Sequence, residues 1–214
     1  MHDSNYRVAC LDMEGVLIPE LWPYVARKTG VQGLRVTTRE VPDYERLVSQ
    51  RIILLREHGI TLEGLQSLIA DVEFLPGAKT FFDTVCAAMH VVIVSDAFTE
   101  MIAGFHEKLG RPEMQCNVFE CDDAGYITHA VYARKEGKHE VVDALKSEGK
   151  WVVAVGDAYN DLSMLRQADL GFLLSPSSQT ARAASDVFQA KSHQEILDAC
   201  HKLGIFSRMF GVED

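Results

Sequence analysis

Three short apolar runs in this chain each stop at acids, and that shared ending narrows the possible folds sharply. Residues 8–11 end at Asp12, with Glu14 two positions later and then Gly15. Residues 91–94 end at Ser95 and Asp96, and residues 151–155 end at Gly156 and Asp157, with Asn160 and Asp161 close behind. Apolar runs this short read as buried strands rather than helices. Helical spacing lies between them, so the strands belong to a parallel sheet covered on both faces. All three strand ends then lie on one edge, where open α/β sheets hold their ligands. Positions two apart on a strand face the same side, so Asp12 and Glu14 can enter one crevice. Acids aimed at one point repel each other unless a cation lies between them. The pattern predicts a carboxylate nest for a hard divalent cation.

Between the first and second runs the chain reads as helices only. Leu21, Trp22, Val25 and Ala26 mark one helical face, closed by Gly30. Pro42 suits the first turn of a second helix, which carries Leu47, Val48, Ile52 and Leu55. Thr61 suits the N-cap of a third. Residues 31–41 show no clear period, and Arg35 and Arg39 receive no role. After Leu75-Pro76-Gly77 strands and helices alternate. Residues 78–89 form a helix with Phe81, Phe82, Val85 and Cys86 toward the core. A helix over 99–109 precedes a hairpin of strands near 115–120 and 126–133, with Asp123 as a turn residue. A helix over 138–147, a strand over 170–174 and a helix over 194–203 complete the chain. The expected architecture is a doubly wound, Rossmann-like α/β sheet, with residues 1–17 and 76–214 as the core. Residues 18–75 form a small helical domain inserted after the first strand, placed to cover the crevice as a lid.

The 214 residues are 47% hydrophobic, enough for a sizeable core without staples. A net charge of −10 argues against nucleic acid or an anionic membrane as partner. The five cysteines are odd in number and irregularly spaced, with no CxxC, which excludes the usual zinc and redox motifs. Cys10 and Cys86 lie in apolar stretches and read as small core residues. No apolar signal region opens the chain and no apolar run reaches membrane-spanning length, so cytoplasm is the expected location. No HxH, HExxH or GxxxxGK[ST] pattern occurs, and no GxSxG surrounds Ser95. Lys138, preceded by Arg134 and Lys135, can bring positive charge to the acidic edge.

Taken in order, four of these pieces resemble the motifs of the haloacid dehalogenase-like phosphatases. They are Asp12-Met13-Glu14-Gly15-Val16, Val94-Ser95, Lys138 and Gly156-Asp157-Ala158-Tyr159-Asn160-Asp161. They span nearly the whole chain, and the helical insertion is similar to that family's cap. Within the family the chain looks most like a bacterial branch of the phosphoserine phosphatases, described as both phosphatase and homoserine phosphotransferase. Val41-Pro42-Asp43-Tyr44 and the Ser-Asp pair after the second strand carry that likeness.

The resemblance implies roles. Asp12 is the nucleophile, forming an aspartyl phosphate that splits the reaction in two. Glu14 is the general acid and base. Mg²⁺ is held by Asp12, Asp157 and the backbone carbonyl of Glu14. Ser95, the Asp96 N–H and Lys138 hold the phosphate, with Lys138 offsetting charge. Asp161 orients waters and Lys138, and Asn160 bonds Ser95 or substrate. The commoner family residue at position 14 is aspartate. The extra methylene of Glu14 moves the carboxyl by roughly 1.5 Å, about one bond length. A shift of about 1 Å in a catalytic group can cost about two decades of rate unless the pocket adjusts.

Glu20 and Arg51 match positions that hold the substrate's ammonium and carboxylate, and an Arg fork suits a carboxylate. The alternatives are a solvated helix charge for Arg51 and a dipole-favoured acid for Glu20. Trp22 and Phe98 line the pocket or join the core. The expected activity is Mg²⁺-dependent hydrolysis of phosphoserine or a similar small phosphorylated amino acid, within serine biosynthesis. Transfer of the phosphoryl group to homoserine is the alternative. A non-catalytic binding module is a third option, disfavoured because Asp12, Lys138 and Asp157 are all present. The expected partner is a small phosphorylated metabolite; the oligomeric state stays open, a homodimer included.

Overall fold

The computed structural model describes residues 6–38 and 40–206. Arg39 and the first five residues of the polar N-terminal stretch lie outside these. Strand β1 (Arg7–Leu11) pairs in parallel with β2 (His90–Phe98) on one side and β5 (Trp151–Gly156) on the other. Beyond β2 lies β3 (Glu113–Cys121), and its antiparallel hairpin partner β4 (Ile127–Val131) closes that edge. Beyond β5 lie β6 (Leu170–Leu174) and β7 (Phe188–Ala190), both parallel. The sheet order is therefore β4-β3-β2-β1-β5-β6-β7, with β1 at the centre.

Strand periodicity sorts the core into two layers. Ala9, Leu11, Ile93, Val153 and Val155 face one side. There they meet Phe81, Phe82 and Val85 of α4 (Ala78–Ala88) and Ile196 and Cys200 of α9 (His193–Lys202). Val8, Cys10, Val92, Val94, Val152 and Ala154 face the other side, against Val142 of α6 (His139–Ser147) and Leu162 and Leu165 of α7 (Leu162–Gln167). Burying each large apolar side chain contributes roughly 1.5–3 kcal/mol.

The helical insertion comprises α1 (Leu21–Thr29), a 3-10 turn (Gln32–Arg35), α2 (Tyr44–Glu57) and α3 (Leu62–Ile69). Asp43 caps α2 by accepting from Arg46 N at 3.0 Å, and Thr61 caps α3 by accepting from Gly64 N at 3.1 Å. Pro42 thus stands before the cap residue rather than in the first turn. The inward residues of the insertion, among them Leu21, Val25, Val48 and Leu65, join the same cluster as one face of the sheet. The two links of the insertion meet where Leu75 N donates to Leu17 O at 2.9 Å. On the far side the insertion rests on the β3–β4 hairpin. Leu62 N donates to Gly125 O at 2.9 Å, and Arg56 pairs with Asp122 at 2.8 Å. It also touches α5 (Thr99–Lys108), where Gln66 Nε2 donates to Glu100 O at 2.9 Å.

Several expectations need correction. Cys86 is exposed at the margin of the α4 stripe; only Cys10 of that pair is a core residue. Strand β2 does not stop at Ser95 but runs to Phe98, with its register against β3 shifting between Val94 and Phe98. Phe98 and Phe119 stack at 3.6 Å between centroids, so Phe98 is core. The 3-10 turn Tyr159–Asp161, α8 (Ser178–Ala183) and β7 have no counterpart in the sequence reading. Each is too short for a period to show. Among the described residues no helix is long and apolar enough to cross a membrane.

Candidate active site

Strand β1 delivers Asp12 to the C-terminal edge of the sheet, where its N–H donates to Val155 O at 2.9 Å. Met13 N donates to Asp12 Oδ1 at 2.7 Å. The neighbouring strand β5 ends at Gly156, and the 3-10 turn after it folds Asp161 back beneath Asp157. Asp161 Oδ2 accepts from Asp157 N at 2.9 Å and from Ala158 N at 3.0 Å. A β-carbon at Gly156 would stand 2.4 Å from Asp161 Cβ, so the fold-back needs glycine there. Lys138, immediately before α6, is 1% exposed. Its Nζ lies 2.9 Å from Asp12 Oδ2 and 2.6 Å from Asp161 Oδ1.

Asp12, Asp157 and Asp161 each offer an oxygen, all within 4.8 Å of one another. Among the described residues a single buried ammonium faces these acids, so negative charge is in excess. Burial, with Asp161 adding to it, pushes the Asp157 carboxyl up to about 8. Burial also pushes Asp12 up to about 7, against the opposing pull of Lys138 and Ser95. The carboxylates around Lys138 raise its pKa despite its burial. Asp157 Oδ1 is buried with no hydrogen-bond partner among the described residues. Hard oxygen donors, surplus negative charge and an orphaned carboxylate oxygen fit Mg²⁺. Asp161 has both oxygens engaged by Lys138 and by backbone N–H groups, and Asp12 accepts from Met13 N and faces Lys138, so Asp157 Oδ1 is the oxygen of the nest that no described residue engages.

Beside this nest β2 places Ser95, 1% exposed, with Ala97 N donating to its Oγ at 3.3 Å. Asp96 follows. Arg134 Nη2 donates to Asp96 Oδ1 at 2.8 Å and Asn160 Nδ2 donates to Asp96 Oδ2 at 2.9 Å. Burial opposes ionisation of Asp96, but Lys138, Arg134 and Asn160 together hold its carboxyl below the usual range. The expected bond from Asn160 to Ser95 is not made, as the nearby carboxylate is the stronger acceptor.

The insertion supplies the opposite wall. Glu14 Oε1 accepts from Leu21 N at 2.7 Å, satisfying one of the free N–H groups that open α1. Burial, then the charge of Glu20, pushes the Glu14 carboxyl up to about 8. Glu20 itself is exposed at the start of α1 and makes no capping bond. Arg51 on α2 is 6% exposed, which excludes a solvated helix charge. Its guanidinium lies 4.5 Å from the Trp22 ring centroid and donates to Val36 O at 2.9 Å. Its Nε is buried without a partner among the described residues. Trp22 is thus core and also a platform for Arg51. Sequence reasoning gave no site role to Tyr44, Asn117 and Arg134, which all bind the Ser95–Asp96 segment of β2. Tyr44 stood in the Val41-Pro42-Asp43-Tyr44 stretch and Arg134 in the basic pair Arg134-Lys135, while nothing in the sequence signalled Asn117.

A family model described as haloacid dehalogenase-like hydrolase matches residues 6–169. The chain belongs to that family. This haloacid dehalogenase-like hydrolase is 42% identical over 166 residues to phosphoserine phosphatase ThrH of Pseudomonas aeruginosa, covering 78% of this chain and 81% of that one. A phosphoserine phosphatase of Pseudomonas syringae pv. tomato is 41% identical over 166 residues, 78% of this chain and 70% of its own. Among solved structures, phosphoserine phosphatase from T. onnurineus in complex with NDSB-201 aligns with a TM-score of 0.72 at 24% identity, covering 93% and 96% of the two chains. A phospho-aspartyl intermediate analogue of phosphoserine phosphatase aligns at 0.74 and 22% identity, over 91% and 99%. At these identities the structural likeness establishes the fold of the hydrolase.

Proposed function

We propose that this hydrolase removes the phosphoryl group from phosphoserine, or a similar small phosphorylated amino acid, through an aspartyl phosphate on Asp12. The supporting observation is the buried Lys138 ammonium, 2.9 Å from Asp12 and 2.6 Å from Asp161, at the end of the central strand. A nucleophilic carboxylate must be ionised, and Lys138 favours that form of Asp12.

The Asp12 carboxylate attacks phosphorus in line, and the bond to the ester oxygen breaks. Glu14, whose carboxyl is pushed up to about 8, is protonated near neutrality and gives its proton to the leaving oxygen. Glu14 then takes a proton from water, which attacks phosphorus and releases inorganic phosphate and Asp12. Lys138, the Ser95 hydroxyl and the Asp96 N–H hold phosphoryl oxygens, and Asp161 holds Lys138 in place. Asp12, Asp157 and the Glu14 carbonyl would hold Mg²⁺, which when bound would supply positive charge to the phosphoryl oxygens. Under the insertion, which acts as a cap, Arg51 takes the substrate carboxylate through its unpartnered Nε, and Glu20 takes the ammonium. The names of the Pseudomonas relatives support this substrate class, and cytoplasmic amino-acid biosynthesis is the matching setting.

A second reading is transfer to an alcohol such as homoserine. It is favoured by the Glu14 carboxylate being held by the cap at Leu21, so an acceptor bound under the cap meets the same base. A Mg²⁺-dependent phosphate-release panel over phosphorylated metabolites tests the first reading, with phosphoserine expected to give the highest kcat/KM. A clear preference for a sugar phosphate overturns it. Homoserine added to phosphoserine tests the second; inorganic phosphate as sole product removes it.

A further inference from the structure

The stretch of β2 at Ser95 carries an aspartate next in the strand, where a phosphate is to bind. A carboxylate there is costly, since Asp12, Asp157 and Asp161 already crowd the edge with negative charge. The structure shows how it is held. Arg134 Nη2 and Asn160 Nδ2 donate to its two carboxylate oxygens, at 2.8 and 2.9 Å. Its backbone carbonyl accepts from Asn117 Nδ2 at 2.9 Å and from the Tyr44 hydroxyl at 2.7 Å. Arg134 Nη2 also donates to Ser95 O at 2.7 Å. The Arg134 side chain is 5% exposed, so these charge-assisted bonds are poorly screened.

The consequence is directional. In a planar trans peptide the C=O and the following N–H point opposite ways. With Ser95 O held by Arg134, the direction of the Asp96 N–H is set as well. Three of the four donors come from the sheet core, namely β3, the segment before α6 and the turn after β5. Tyr44 alone comes from the cap, as the first residue of α2, with its ring edge-on to Tyr132 at 5.9 Å between centroids.

We propose that Tyr44 is a positioning residue whose hydroxyl, on the Asp96 carbonyl, makes order in the phosphate-binding segment of β2 and closure of the cap one coupled event. The proposal rests on the reading of Ser95–Asp96 as the phosphate-binding segment. Coupling of this kind is reciprocal: a closed cap tightens phosphate binding, and bound phosphate holds the cap down.

Tyr44→Phe keeps the ring and removes the bond. The test uses the full chain with Mg²⁺, p-nitrophenyl phosphate as reporter and inorganic phosphate as ligand. The inhibition constant of phosphate is expected to rise about five- to tenfold, the loss of one hydrogen bond, with kcat changed less. In the unaltered protein phosphate is expected to slow amide hydrogen exchange in α2, and Tyr44→Phe is expected to abolish that slowing. An unchanged inhibition constant in the variant overturns the proposal, as does α2 exchange indifferent to phosphate in the unaltered protein. The reporter does not depend on phosphoserine being the substrate. Absence of any phosphate inhibition in an unaltered protein that hydrolyses the reporter overturns this coupling alone, whereas absence of reporter hydrolysis overturns the phosphatase reading and this coupling with it.

Discussion

Gly15 lies so close to Asp157 that a β-carbon on it would stand 2.2 Å from Asp157 Cγ and 2.3 Å from both carboxylate oxygens. The glycine after the first-strand acids is thus the floor on which the second candidate metal carboxylate rests. Its φ of +77° adds backbone strain for any other residue. Gly15→Ala is expected to displace Asp157 and lower phosphate release about a hundredfold, since a shift of about 1 Å is enough for that. Gly30→Ala is the control, with a similar φ of +75° and nothing within 4 Å. It should lose stability and keep its turnover. Equal turnover in the two variants, measured across a Mg²⁺ titration, would show that the Asp157 contact is irrelevant.

Metal-free protein should lose stability as pH rises. Asp12, Asp157 and Glu14 are held protonated up to about 7, about 8 and about 8 by burial. In the unfolded chain such groups ionise near pH 4, at about 3.9 for Asp and about 4.3 for Glu. The folded state binds more protons between those limits, so stability from these groups is full below about pH 4 and falls until about pH 8. Mg²⁺ offsets the repulsion, and its stabilisation should grow over the same window. Melting temperatures in EDTA and in Mg²⁺ at pH 5, 6, 7 and 8 check this; a gap that does not widen with pH contradicts it.

Arg51→Ala should raise the KM for phosphoserine at least tenfold more than the KM for p-nitrophenyl phosphate, about the worth of one charged hydrogen bond. Stability should fall too, because Arg51 packs on Trp22 and bonds Val36 O. The ratio of the two KM changes separates recognition from packing. A ratio of one takes Arg51 out of substrate binding.

Asp12→Asn is nearly isosteric and should end turnover while the protein still melts cooperatively. Radiolabel from phosphoserine, trapped by acid quench, should appear on the unaltered protein and not on the variant. Continued phosphate release by the variant would sink the aspartyl-phosphate scheme.

Local chemistry was the legible part. Residues 8–11 and 151–155 are apolar and end at acids, and that pattern needs no tertiary information. Helix α2 showed its period, but not that Arg51 would lie buried on Trp22. Burial of a residue in the insertion depends on what the insertion packs against, and periodicity within one helix does not report that. The passage of β2 through Ser95 was hidden because Asp96 looks like a strand end. Only Arg134, Asn160, Asn117 and Tyr44, between 21 and 64 residues away, make it a place where a strand can continue. Exposure of Cys86 at a stripe margin turns on one step of helical rotation, beyond what apolar neighbours indicate.

The 2.9 Å bond from Leu75 N to Leu17 O means that the chain leaves the sheet and returns to it at almost the same point. Geometrically the insertion is a module that could be cut away and its ends rejoined with little disturbance to the strands. Energetically it is not, because Leu21, Val48 and Leu65 share one apolar cluster with Leu11 and Ile93. A chain shortened in this way would present a bare oily face to water and self-associate. The same continuity would confine the insertion, if it moves as the proposed lid, to a pivot about its paired links.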